Sequence, residues 1–302
     1  MTIEISSLRS KTCVLSDGKD GTPRRVHLFD DDEISAVEAA LLSERPLLLR
    51  GEPGVGKSQL AEAVAREMGW EFLKETVDAK TDPDDLKWYE DVVQRLSRAQ
   101  YAGAAGGYEN IECLKSELAR SNFIYPGVLW KAFDWTGAHN VEEVPERVVV
   151  LIDEIDKADS AVPNALLEAL GSGSFTPPGR ETVTAKRWPL IILTTNEDRP
   201  LPSAFLRRCL VHNMNPDQEQ MQSWLVERGQ ALFPKAPQKI LDWAAEAVLE
   251  DRDEAANWRT AHRPGLAEYL DLLRALMKTG ETDPEKLKSR MEEIRKFFLV
   301  KS

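Results

Sequence analysis

Apolar residues recur along the chain in two patterns. Leu47-Leu48-Leu49, Val148-Val149-Val150-Leu151-Ile152 and Leu190-Ile191-Ile192-Leu193 are unbroken runs. Such runs suit strands buried on both faces of a parallel sheet. Between them the spacing is helical: Ile34, Val37, Ala40 and Leu41 predict a helix over 30–43, and Leu60, Ala61, Val64, Ala65 and Met68 line one face of another, with Gly69 as its stop. Trp70 to Val77 reads as a further strand. Thr81-Asp82-Pro83-Asp84-Asp85 reads as a helix start, with a helix of about fifteen residues after it and a break at Gly103 to Gly107. A second helical stretch covers roughly 110–120. Residues 161–170 predict a helix, Thr182-Val183-Thr184 after a Pro-Gly turn a hairpin, 201–209 a short helix and 209–214 a last strand. Beyond it every signal is helical, over roughly 216–229, 236–250, 264–278 and 284–299. Asn215 is expected to cap the first of these, with Pro216 at its first position, and Asp283-Pro284 opens the last.

Composition narrows the class. The 302 residues are 42% hydrophobic, enough for a full core. No window approaches the ~18 consecutive apolar residues of a membrane span. The first residues lack a basic and then apolar leader, so a cytoplasmic protein is expected. Net charge is −12, from 51 acidic against 39 basic residues, which argues against a broad nucleic-acid footprint. Cys13, Cys113 and Cys209 lie far apart with no C-x-x-C spacing, so they read as incidental thiols. The eight tryptophans read as core or interface packing rather than a stacking platform.

The chemistry is concentrated at strand ends. Gly51-Glu52-Pro53-Gly54-Val55-Gly56-Lys57-Ser58 joins an apolar strand to the helix that begins with Gln59, and it fits G-x-x-x-x-G-K-[ST]. Glycines let backbone N–H groups curl around phosphates, and the helix directs its positive dipole end at them. Lys57 adds a point charge, and the Ser58 hydroxyl is placed to ligate Mg²⁺. Downstream, Asp153 and Glu154 emerge where a buried strand ends; Asp153 suits the Mg²⁺ shell and Glu154 the general base for an attacking water. Asn196 ends the next strand as a neutral amide suited to orienting that water. Arg207-Arg208 ends a short helix. Arg259 and Arg263 lie before a helix start, where dipole grounds disfavour a cation, so Arg263 reads as either a candidate phosphate ligand or an ordinary surface arginine. Arg180, Lys186 and Arg187 mark the hairpin as either a solvated surface or a substrate-facing loop.

This order of phosphate loop, long insertion, Asp153-Glu154, hairpin, Asn196, Arg207-Arg208 and helical tail resembles the AAA+ ATPases over about residues 30–280. Gly51-Glu52-Pro53-Gly54, Pro126-Gly127-Val128-Leu129 and the hairpin before Asn196 look most like the MoxR type. The resemblance implies a P-loop α/β fold with a five-stranded parallel sheet and a C-terminal four-helix lid. It implies a homo-oligomeric ring, usually a hexamer, with ATP and Mg²⁺ at each subunit junction. Lys57 and Ser58 then take Walker A positions, Asp153 and Glu154 Walker B, and Asn196 sensor 1. Arg208 takes the trans arginine finger, although Arg207 stands where an Asp is common and the two could exchange roles. Sensor 2 falls to Arg263 or Arg259. The expected divisions are a loose arm or small hairpin over 1–24, a nucleotide-binding domain over 25–214 with an insertion at 80–145 and a hairpin at 172–188, and a lid over 215–302. The expected activity is ATP-driven remodelling of a protein client, with a von Willebrand factor A domain protein as an implied partner. A nucleic-acid motor or loader, and a slow nucleotide-gated scaffold, are the rivals.

Overall fold

The computed structural model describes residues 5–19, 22–104, 111–258, 263–281 and 283–299. In chain order the elements begin with β1 (Thr12–Ser16), β2 (Arg25–Leu28), α1 (Asp31–Ser43), β3 (Leu47–Arg50), α2 (Lys57–Met68) and β4 (Glu71–Thr76). Next come β5 (Trp88–Glu90), α3 (Val92–Ala104), α4 (Ile111–Glu117), β6 (Ile124–Pro126), α5 (Val128–Phe133), α6 (Trp135–His139) and β7 (Val148–Asp153). They continue with α7 (Ala161–Ser172), β8 (Ser174–Phe175), β9 (Val183–Thr184), β10 (Leu190–Thr195), α8 (Ser203–Leu206) and β11 (Leu210–Asn213). The chain ends in α9 (Met221–Leu232), α10 (Gln238–Trp258), α11 (Leu266–Met277) and α12 (Pro284–Leu299).

Five strands form one sheet in the order β11-β3-β10-β7-β4, with β7 parallel to both β4 and β10. The unbroken apolar runs account for its centre: every residue of β7 and β10 is buried. Compactness divides the chain into residues 1–35, 50–63 and 212–302 on one side and 36–49 and 64–211 on the other. In the second unit the sheet strands pack with Leu166 and Leu170 of α7 and with Leu129 and Phe133 of α5. Trp88, Trp130, Trp135 and Trp188 pack against this core, and Trp130 meets Phe175 edge to face. Cys209 is buried there too, and burial pushes its thiol up to about 12, so it is chemically quiet. In the first unit α9, α10, α11 and α12 enclose their own core around Leu225, Ala244, Val248, Tyr269, Leu273 and Met291, with Trp224 and Trp243 against it. β1 pairs antiparallel with β2, so a hairpin is present at the start of the chain. No helix of the described residues is long and apolar enough to cross a membrane.

Two local expectations are corrected. Thr81 to Asp85 does not open a helix. Asp78 accepts from the Lys80 amide, Thr81 from the Asp78 amide and Asp85 from the Asp82 amide, so the side chains close successive turns on the backbone. The chain then extends into β5, which pairs antiparallel with β6, and the helix starts only at Val92. Nor does Asn215 cap a helix. Its Oδ1 accepts the Glu52 amide at 2.8 Å, and α9 begins at Met221 after a short 3₁₀ turn over Gln218–Gln220. A longer-range donor outcompeted the local one. The break at 103–107 lies partly outside the described residues; α3 continues through Gly103 to Ala104.

Candidate functional site

The phosphate loop lies between β3 and α2. Gly51, Gly54 and Gly56 all take positive φ, at 148°, 82° and 112°. At Gly54 the requirement is doubled, because an added Cβ would stand 2.6 Å from the Cβ of Ala267 on α11. Lys57 is 6% exposed, and its Nζ donates to Gly51 O at 2.7 Å and Glu52 O at 3.0 Å. The lysine thus lies along the loop it is to serve. Val55 is buried, Ser58 and Gln59 are half-buried, and Pro53 is exposed.

Around the loop lies a cleft with about 580 Å³ of empty space, part of it open solvent, lined by Val26, His27, Gly54, Gly56, Leu266 and Arg274 among others. His27 donates or accepts at Glu33 Oε2 across 3.1 Å, and the Asp30 amide reaches the same oxygen at 3.1 Å. Burial would raise the Glu33 carboxyl, but the hydrogen bond and charge of His27, the Asp30 amide and Arg228 hold it below its ordinary range. Sequence reasoning did not find this pair, because a single His in a short strand carries no spacing signal.

It also missed Arg252. This arginine sits in the charged run Glu250-Asp251-Arg252-Asp253-Glu254, which by itself reads as a solvated face. Its guanidinium forks onto Glu52 of the phosphate loop at 2.6 and 2.9 Å and donates to Pro264 O at 3.1 Å. Arg263 is exposed, and Arg259 lies outside the described residues.

The acidic half of the constellation is built on the sheet. Asp153 ends β7 at 8% exposure; its Oδ1 accepts the Thr194 hydroxyl at 2.6 Å, and its Oδ2 pairs with Lys74 Nζ at 2.8 Å. The Thr194 oxygen in turn accepts the Glu154 amide at 2.9 Å. One hydroxyl of β10 therefore fixes both acids at the end of β7. Glu154 occupies the left-handed region, φ 61° and ψ 44°, a sparsely populated state for a side-chain residue and one concentrated at functional sites. Its carboxylate meets Lys157 Nζ at 2.7 Å, and that hydrogen bond holds the lysine above its ordinary value. Asn196 follows β10 half-buried, and Glu197 after it again has a positive φ of 62°. Arg207 and Arg208 are both exposed just past α8. The Ser58 hydroxyl and the Asp153 carboxylate, each taken by itself, are hard oxygen donors of the kind Mg²⁺ takes.

A glycine loop at a strand-to-helix junction, and a parallel sheet whose buried strand ends in Asp-Glu, define a P-loop nucleoside triphosphatase. A family model described as AAA domain (dynein-related subfamily) matches residues 46–209. That is more than half of the chain, and the chain belongs to this family. Among curated proteins it is similar to Midasin of Giardia intestinalis, 26% identical over 68% of this chain and 4% of that one. It is also similar to chaperone protein ClpB of Chlamydia pneumoniae, 29% identical over 56% of this chain and 16% of that one. The chain thus spans a small part of the length of these relatives. Among solved structures, RuvB of Thermotoga maritima matches 87% of this chain and 68% of its own, at 15% identity and a TM-score of 0.47.

Proposed function

We propose that the chain is a MoxR-type remodeller that uses ATP hydrolysis in a hexameric ring to change the conformation or assembly of a protein client. Residues 51–59 hold the phosphates, with Lys57 between them. Mg²⁺, held by Ser58 and Asp153, would neutralise charge on the phosphates. Glu154 takes the proton from the attacking water, Asn196 orients that water, and Arg208 reaches the nucleotide of the neighbouring copy, with Arg207 able to exchange with it. Arg263 or Arg259 is the lid arginine expected from sequence; Arg252 has the better claim, since its guanidinium already meets Glu52.

The observation that carries the protein-client reading is the state of the hairpin cations. Lys186 Nζ is held by Asp134 at 2.6 Å and Thr136 at 3.2 Å, and Arg187 donates to the Glu146 carbonyl. Two of the three cations that would grip a nucleic-acid backbone are thus engaged within the protein. The insertion instead exposes Val92, Val93, Leu96 and Tyr101 on α3, groups that suit a protein surface. A von Willebrand factor A domain protein is the adaptor expected of this type.

The test is Glu154→Gln as a trap. Held in ATP and recovered from its native lysate, it should retain a stoichiometric protein. Recovery of nuclease-sensitive DNA or RNA without one, together with salt-sensitive stimulation of the wild-type ATPase by nucleic acid, would favour the motor instead. Turnover below about one per minute in a fully assembled ring would favour the nucleotide-gated scaffold.

A further inference from the structure

We propose that Arg45 is a positioning residue for the arginine finger, gripping the backbone that carries Arg207 and Arg208; the proposal rests on the finger reading given above. Arg45 lies between α1 and β3, two residues past the end of the helix. Its Nη2 donates to Arg207 O at 2.6 Å and to Cys209 O at 3.0 Å, and its Nε donates to Arg208 O at 3.2 Å. Three consecutive carbonyls therefore converge on one guanidinium.

The convergence answers a local need. α8 spans only Ser203–Leu206, and a helix terminus leaves its last carbonyls without amide partners. The amides of Arg207, Arg208 and Cys209 turn back to Ser203, Phe205 and Leu206 at 2.9–3.1 Å, while the carbonyls of the same three residues accept from Arg45. Arg45 meets these carbonyls with a planar fork whose donor directions are fixed, something an ammonium on a flexible stem does not reproduce. The fork is itself anchored on both sides. The Arg45 amide donates to Ala40 O at 3.2 Å, and the Leu210 amide donates to Pro46 O at 2.8 Å, so the gripping residue and the gripped segment are tied to the same stretch of chain.

The side chains of Arg207 and Arg208 are exposed, and Arg208 Nη1 donates to Ala204 O at 3.4 Å, a contact within its own short helix. Their aim is therefore set by the backbone beneath them. A finger contributes about 10³–10⁵ in rate, and a misplacement of about 1 Å can cost roughly 10². Releasing three carbonyls to water frees the base of both arginines while leaving the phosphate loop untouched.

The experiment compares Arg45→Ala, Arg45→Lys, Arg207→Ala, Arg208→Ala and the double variants that join Arg45→Ala to each finger variant, in the assembled protein. Steady-state ATPase, nucleotide affinity by a fluorescent ATP analogue and thermal melting are read together. Arg45→Ala is expected to lower kcat by about 10–100-fold, with nucleotide affinity held within about twofold. Arg45→Lys is expected to recover only part of the loss. In the background of whichever finger variant is inactive, Arg45→Ala should cost nothing further, because it acts through that residue.

Full kcat in Arg45→Ala beside a dead finger variant would overturn the positioning role and leave the finger in place. Full activity in both Arg207→Ala and Arg208→Ala would overturn the finger reading, and this proposal with it. A loss that multiplies in the double variant, or that falls on affinity as heavily as on kcat, would mark Arg45 as a purely structural residue and also refute the proposal. If Arg45→Ala does not fold, the same comparisons are made with Arg45→Lys.

Discussion

Replacing Thr194 by Val tests whether one hydroxyl holds the two acids in place. The change swaps O–H for a methyl at a site that is 1% exposed, so shape is kept and hydrogen bonding is lost. Two interactions go. The 2.6 Å bond to Asp153 Oδ1 is charge-assisted, and such bonds are worth about 1.5–3 kcal/mol. The Glu154 amide loses its 2.9 Å acceptor, and an unpaired buried donor costs about 1–3 kcal/mol. The second figure belongs near its lower end, because that amide is only part-buried and water can reach it. Lys74 still pairs with the other oxygen of Asp153 and limits the first. The expected loss is about 3 kcal/mol. Urea unfolding of wild type, Thr194→Val and Thr194→Ser measures it. Serine restores the hydroxyl and removes only a methyl, so it should cost no more than about 1 kcal/mol. The ATPase of Thr194→Val should fall while nucleotide binding persists, since the Glu154 backbone is freed. A serine variant as unstable as the valine one, or a valine variant within about 0.5 kcal/mol of wild type, would refute the reasoning.

The left-handed backbone of Glu154 gives a second test: Glu154→Gly should be inactive yet at least as stable as Glu154→Gln in a melt, since glycine removes a strain of about 1–2 kcal/mol. Glu33 gives a pH test. Its carboxyl is held below the ordinary 4.5, so its stabilising contribution is complete above that value and is lost as pH falls through the lowered one. Chemical denaturation should show Glu33→Gln weaker than wild type at neutral pH, with the gap closing below about pH 4; a gap that widens on acidification would contradict the direction. Arg252→Ala leaves the Glu52 carboxylate uncompensated in the phosphate loop, so the affinity for a fluorescent ATP analogue should fall, and adding Glu52→Gln should recover part of it. Equal affinity in all three proteins would remove Arg252 from consideration as a nucleotide-reading arginine.

What the sequence determined by itself was everything encoded in short spacing. The phosphate loop is eight contiguous residues, and the buried strands announce themselves as apolar runs because both of their faces are covered. The periodic helices were found with ends displaced by a few residues; α10 alone ran well beyond expectation, to Trp258. The tertiary structure decided the partners. Thr194 meets Asp153 from 41 residues away, Arg45 meets Arg207 from 162 and Arg252 meets Glu52 from 200. None of the three carries a local signal, because a threonine in a strand, an arginine after a helix and a charge in an acidic run each have a common bland reading. Asn215 and the Thr81–Asp85 cluster show the same limit from the other side. Both carry helix-start chemistry, yet a side-chain oxygen accepts whichever N–H the folded chain brings to it, and here those were the Glu52 amide and the amides of tight turns. Sheet order decided which strand ends stand side by side, and hydrogen bonds between them then set the aim of the acids that the sequence had already named.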